Sequence, residues 1–222
     1  MQRGLQRIHF VTPPARGKPI ERIFGCNYAF FLQHNVFILY MATLLKSKGF
    51  DVKVIDAPID GFKKVEDIAD DSDVYVFYSN FLSRGTDLEA AETIVKIEGR
   101  KTIIFTGSDP TWDPEAYIRN DNYYVIRGEP ELVLPELLKG IGGGDIKSVY
   151  GVSFMNNGKV IHNPTANVID NLDYLPYPER KLYKNPYKYI NPKFKRIPCT
   201  TILTSRGCPY RCLYCVPNSF MS

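Results

Sequence analysis

Five times before residue 140 a short run of β-branched and aromatic residues gives way to a longer amphipathic stretch, and few folds accept that alternation. The runs lie at 7–12, 51–56, 73–79, 101–106 and 122–127, and the stretches at 36–48, 62–69, 86–98, 113–120 and 131–139. Repeated strand and helix units point to parallel pairing, since two parallel neighbours need the long crossover that a helix supplies. Gly49, Gly99 and Gly140 stand where helices should stop, and Asp113 before Pro114 reads as an N-cap with proline at the first helical position. The expected fold class is α/β, a doubly wound, Rossmann-like, flavodoxin-type five-stranded parallel sheet.

In such a fold ligands gather beyond the C-terminal ends of the strands. Here those loops are 13–18, 57–61, 79–85, 107–111 and 128–130, with glycines and small polar residues that let a backbone come close to a bulky ligand. Taken singly, each loop reads as a turn. No Gly-x-Gly-x-x-Gly follows the first run, which weakens a nucleotide-binding reading. The GIGGGD stretch at 140–145 lacks the Lys-Ser or Lys-Thr of a phosphate loop. Two extended runs, 148–155 and 159–162, flank Asn157-Gly158 and predict a β-hairpin. Residues 163–198 are rich in Pro, Tyr, Asn and Lys, a connector expected to lie over a neighbouring surface.

Three of the five cysteines, Cys208, Cys212 and Cys215, crowd into the run SRGCPYRCLYC. Thiolates at this spacing can each take one iron of a 4Fe-4S cube and leave the fourth iron open to a ligand. Gly207 and Pro209 shape the loop, which follows an apolar candidate strand at 200–204. A structural zinc site is the rival reading; it wants four ligands, so Cys199 or a distant residue would have to complete it. Disulfides fit less well, because the count is odd. Cys26 and Cys199 read as ordinary small side chains.

The cysteine loop resembles that of the radical S-adenosylmethionine (radical SAM) superfamily. The rest of the chain is similar to the subfamily in which a cobalamin-binding domain precedes the cluster loop. The matching pieces are Thr12-Pro13-Pro14, Lys48-Gly49-Phe50 leading into 51–56, Gly107-Ser108-Asp109-Pro110-Thr111 and Arg127-Gly128-Glu129-Pro130-Glu131. In the connector, LDYLPYP at 172–178 completes the set, and the pieces follow the family's order. The resemblance implies that Cys208, Cys212 and Cys215 are the iron ligands and that Tyr214 packs near the adenine of S-adenosylmethionine. It implies Pro13, Ser79, Asn80, Gly107, Ser108, Asp109, Gly128 and Glu129 as cobalamin contacts, and no catalytic side chain is assigned. It also implies three parts: a cobalamin-binding-like domain at 1–145, a hairpin and linker at 146–198, and the start of a radical SAM β/α barrel at 199–222.

In that family the reduced cluster gives one electron to S-adenosylmethionine, and the resulting 5'-deoxyadenosyl radical abstracts hydrogen from an unreactive carbon. Methylation is one outcome, cyclisation and rearrangement are others. The sequence departs from some cobalamin domains. The loop at 13–17 carries no histidine to replace the lower cobalt ligand, and Ser108-Asp109 stand where relatives often have Gly-x-His. Two alternatives stay open: a radical SAM protein whose first domain is a degenerate relative without cobalamin, and a small zinc-binding interaction module.

Only seven residues follow Cys215, too few to complete a barrel. The chain is therefore expected to be the amino-terminal part of a longer enzyme, with the stretch from Cys199 onward poorly packed. A net charge of +4 is mild, and the basic stretch 181–196 is interrupted by Tyr, Pro and Asn, so nothing signals nucleic acid. The longest apolar stretch, around 36–45, is too short to span a bilayer. Thiols that must stay reduced for a cluster suit the cytoplasm. The expected partners are small-molecule cofactors, a substrate that the sequence does not identify, and an electron donor of flavodoxin or ferredoxin type.

Overall fold

The computed structural model describes residues 6–14, 34–189, 195–196, 199–208 and 210. Its sheet has seven strands in the order β2-β1-β3-β4-β5-β6-β7. The parallel part comprises β1 (Arg7–Thr12), β2 (Asp51–Asp56), β3 (Val74–Tyr78), β4 (Thr102–Thr106) and β5 (Tyr123–Ile126). These strands are apolar on both faces, as parallel strands covered by helices on each side must be. Alternate residues divide into two cores. Ile8, Phe10, Val74, Val76 and Ile104 face helices α1 (Val36–Ser47) and α5 (Pro130–Ile141), while Val11, Tyr75, Phe77, Ile103 and Phe105 face α3 (Arg84–Glu98).

From β1 the chain winds to β2 on one side and then crosses to β3 on the other. The reversal falls between β1 and β3, the flavodoxin-type switch point where a doubly wound sheet opens a crevice. Pro13 and Ser79 stand at its two lips. Helix α1 begins cleanly because Asn35 Oδ1 accepts hydrogen bonds from the Phe37 and Ile38 amides at 3.1 and 3.2 Å. It stops at Gly49, whose φ of 90° suits a glycine.

Three local expectations are corrected. The helix expected at 62–69 is a short α2 (Ala57–Asp60), ended by Gly61 at φ 88°, and a 3-10 turn at Val65–Asp67. The helix expected at 113–120 is α4 (Ser108–Trp112) followed by a 3-10 turn at Pro114–Ala116. Asp113 does stand at the N-cap of that turn with Pro114 at its first position, but its carboxylate makes no capping bond and accepts from Arg84 Nη1 at 2.9 Å. Gly140 lies inside α5, which ends where Gly142 to Gly144 begin.

The hairpin forms about Asn157 and Gly158, both at positive φ, the geometry of a tight two-residue turn. Its strands, β6 (Val152–Asn156) and β7 (Lys159–His162), do not stand apart as a connecting piece. They add antiparallel to β5 and extend the sheet. The connector then returns across the α1 side to the opposite edge. There the Glu179 amide donates to Thr43 Oγ1 (2.9 Å), and Tyr183 bridges Val54 of β2 in parallel. Tyr189 Oη donates to Asp56 Oδ2 at 2.8 Å. The unpaired side of β2, a liability if left bare, is thus met by the connector at Val54 and Asp56.

Candidate functional site

Beyond the C-terminal ends of the strands, the loops expected to meet a ligand are held in place by a polar network of their own. Ser79 is fully buried; its Oγ lies 2.7 Å from Asp87 Oδ2 and 2.9 Å from Tyr117 Oη. Ser83 Oγ donates to the same Asp87 oxygen at 2.6 Å. Tyr117 Oη donates to Asp109 Oδ2 at 2.6 Å, and Arg84 grips Asp109 with two nitrogens, Nε at 2.6 Å and Nη2 at 2.8 Å. Burial alone would raise the Asp109 carboxyl, but the hydrogen bonds from Arg84 and Tyr117 hold it below its ordinary pKa. Burial and Asp109 together push the Tyr117 hydroxyl well up, so it stays protonated and donating.

This arrangement assigns the sequence candidates different places. Ser79 and Asp109 turn their polar atoms into the network, and Asn80 Oδ1 accepts from the Leu82 and Ser83 amides at 2.9 and 3.3 Å. These side chains fix the loops. Ser108 and Gly128 are half-buried. Gly107, at φ 117°, sits so close that an added Cβ would fall inside contact distance of the Ser79 carbonyl oxygen. Thr111 links two loops, its Oγ1 donating to Gly107 O (2.7 Å) and accepting from Gly128 N (3.0 Å). Pro13 is buried at the end of β1. Two aromatic side chains stay in solvent, Phe81 in the loop after β3 at 66% exposure and Trp112 at the end of α4 at 75%.

Glu129 is committed as well. Its Oε2 accepts from the Ile169 amide at 2.5 Å, which pins the connector, and its Oε1 lies 3.6 Å from Arg206 Nη1. Glu131, completely buried, accepts from Arg206 Nη2 at 2.5 Å. The Arg206 guanidinium also rests 5.4 Å from the Phe37 ring centroid and 5.2 Å from that of Tyr40. Burial opposes its charge, yet Glu131 and Glu129 keep its pKa raised.

Two residues on, Cys208 is exposed and not disulfide-bonded, at the end of a segment that forms no ladder among the described residues. The strand expected at 200–204 is therefore absent there, and Ile202 is largely exposed. A strand needs a paired neighbour, and these residues have none among the described ones. Cys212, Cys215, Tyr214 and Cys26 lie outside the described residues. Cys199 is half-buried with a free thiol. Sequence reasoning did not single out Arg84, Asp87, Thr111, Tyr117 or Arg206. A charged or hydroxyl residue in each crevice loop was the available signal, and Arg84 stood inside one of the named loops.

No protein-family model matches the chain. It is 28% identical over 95% of its length to an uncharacterized methyltransferase of Pyrococcus horikoshii, and covers 45% of that protein. It spans less than half the length of the curated relatives it matches. The solved structure of TsrM, a radical S-adenosylmethionine methyltransferase from Kitasatospora setae with cobalamin and a [4Fe-4S] cluster bound, superposes with a TM-score of 0.62 at 16% identity. That match covers 97% of this chain and 42% of TsrM. OxsB, a cobalamin-dependent S-adenosylmethionine radical enzyme with aqua-cobalamin and S-adenosylmethionine bound, gives a TM-score of 0.57 at 19% identity over 72% of this chain and 22% of its own. The chain shares the mostly parallel α/β fold of the matching parts of these two structures. The resemblance read from its motifs stands, and in this fold the crevice and Cys208 are joined through the start of α5. No helix among the described residues is long and apolar enough to cross a membrane.

Proposed function

We propose that the chain is the cofactor-binding, amino-terminal part of a cobalamin-dependent radical SAM enzyme that modifies an unreactive carbon, with methyl transfer as the favoured reaction. One observation carries the reading. A cysteine of the three-thiol loop is held exposed on a segment anchored at the start of α5, into which the crevice loop 128–130 runs. Cofactor chemistry of this kind needs an iron site and a corrin site brought close by one scaffold.

The residues fit both groups. Cys208 offers a free, exposed thiol, and Cys212 and Cys215 supply the other two ligands by spacing. The crevice offers backbone at Gly107, Ser108, Gly128 and Glu129, with Pro13, Ser79, Asn80 and Asp109 holding its walls, and the aromatic rims Phe81 and Trp112 suit a broad flat ring. Tyr214 is assigned to the adenine of S-adenosylmethionine. When bound, the cluster supplies the electron for reductive cleavage of S-adenosylmethionine, and cobalamin carries the methyl group. The chain's own part is to orient both and to keep the crevice loops rigid through Arg84, Asp109 and Tyr117.

The relatives favour methylation, since two of those described are methyltransferases by name. A flavodoxin- or ferredoxin-type donor in a reducing cytoplasm supplies the electron. A second reading, a first domain that only docks substrate or the rest of the enzyme, draws on the inward-turned side chains of Ser79 and Asp109. Gel filtration after anaerobic incubation with hydroxocobalamin decides between them. Corrinoid absorbance that travels with the protein supports the proposal, and its absence sinks the cobalamin part. Iron and acid-labile sulfide after reconstitution test the cluster, whereas zinc without sulfide would overturn it.

A further inference from the structure

Two stretches that the sequence presents as separate landmarks, Arg127-Gly128-Glu129-Pro130-Glu131 and Ser205-Arg206-Gly207-Cys208, meet in the fold. Arg206 is the meeting point. Its side chain is 5% exposed, while Ser205, Gly207 and Cys208 around it are exposed. It enters between the first turn of α1, at Phe37 and Tyr40, and the first turn of α5. A cation is disfavoured at a helix N-terminus, so its presence there calls for carboxylates, and Glu129 and Glu131 supply them. A buried guanidinium is tolerated only when paired in this way. Gly207 follows at φ 82°, a left-handed turn that suits glycine and lets the chain go from a buried Arg206 to an exposed Cys208 within two residues.

Among the described residues a second arginine also ties the segment. At its start Arg180 donates from Nε to Thr200 Oγ1 (2.5 Å) and from Nη2 to the Thr201 carbonyl (2.6 Å). The 199–208 stretch has no ladder to fix its register, so the Arg206 pair is the contact closest to the thiol that does so.

We infer that Arg206 is a positioning residue. Paired with Glu129 and Glu131, it docks the cysteine loop on α5 and sets Cys208 at a fixed place beside the crevice, so that cluster and corrin sites share one frame. This rests on the reading of Cys208, Cys212 and Cys215 as cluster ligands, but the docking itself can be measured without a cluster.

The test uses Glu131→Gln, which keeps the shape and removes the charge, beside Arg206→Lys, which keeps the charge and loses the fork. Circular dichroism melts confirm that each variant folds. The first arm is limited trypsin digestion with mass spectrometry of the peptide bond after residue 206. The expected result is slow cleavage in the parent chain, at least about tenfold faster cleavage in Glu131→Gln, and an intermediate rate in Arg206→Lys. Equal rates in parent and Glu131→Gln would overturn the docking. The second arm follows anaerobic reconstitution, reading iron and sulfide per chain and the rate at which cluster absorbance is lost in air. Several-fold faster loss in Glu131→Gln, partly rescued in Arg206→Lys, supports the positioning role. Unchanged loss with accelerated cleavage would overturn that role. A parent chain that binds no iron and sulfide at all refutes the cluster reading instead, whatever the digestion shows.

Discussion

Around Ser79 the crevice loops are bound to one another by facing hydroxyls, carboxylates and the Arg84 guanidinium, all within one body of the fold. The cysteine segment is held differently. From 199 to 208 the polar ties among the described residues come from two arginine side chains, Arg180 and Arg206, and no described ladder includes the segment. The first kind of site survives loss of any single partner only at a cost in global stability, because its groups are buried and would be left unpaired. The second kind can come loose without unfolding the sheet, because the segment pairs with no described strand. The crevice loops and the Arg206 tie that places Cys208 are thus open to separate attack.

The largest effect expected is the cleanest separation. Replacing Cys208, Cys212 or Cys215 by Ala should remove the 4Fe-4S cluster entirely, read as iron and sulfide content, while the thermal melt of the sheet stays unchanged. A variant that keeps the cluster would break the assignment. Next comes Gly107→Ala. The new methyl meets the Ser79 carbonyl at a positive φ, so the loss should be about 3 kcal/mol or more in urea unfolding. A neutral result would show that the β3 and β4 loops are less tightly joined than the network indicates.

The pH dependence is of similar size. His34 is buried, stacked 4.2 Å from Tyr189, and its pKa is lowered from 6.5 to about 4, chiefly by burial, with Arg180 adding and a Pro186 backbone hydrogen bond opposing. In the unfolded chain it protonates near its ordinary value. Its neutral form therefore stabilises the fold fully above that value, and the contribution is lost as pH falls through the window towards about 4. The loss should amount to roughly 3 kcal/mol. Urea midpoints between pH 7 and 4 should drop, and less steeply in His34→Phe; His9, also lowered by burial, accounts for part of the remaining slope.

Smaller is Tyr117→Phe, which removes the hydroxyl between Ser79 and Asp109 and should cost about 1–3 kcal/mol. Cluster loading in that variant should not change, and a parallel loss would erase the distinction between the two regions. Last, Lys46→Ala breaks a surface pair with Glu179 at 2.8 Å and should shift stability by no more than about 0.5 kcal/mol.

The strands were legible because each carries its own signal. β1 and β2 have the bounds that their apolar runs indicate, and the other parallel strands differ only at their ends. The short helices were harder. At 113–120 the Asp-Pro pair looked like a helix start, but Arg84, distant in sequence, claims the carboxylate. The crevice loops could be named from topology alone, yet not which side chains face into them. Ser79, Asp87, Asp109 and Tyr117 come from separate stretches, and no local pattern says that they converge. Arg206 was visible as part of a turn before the first clustered cysteine. Its role depends on Glu131, Phe37 and Tyr40 meeting it in space, which spacing does not encode.

The return of the connector to β2 bears on how the chain is made. A nascent polypeptide completes all seven strands before the ribosome has delivered Tyr183, the residue that seals the outer side of Val54. Until then no described residue pairs with the outer side of β2, which can template foreign strands. Chains halted between β7 and Tyr183 are thus expected to self-associate, and those a few residues longer to stay monodisperse.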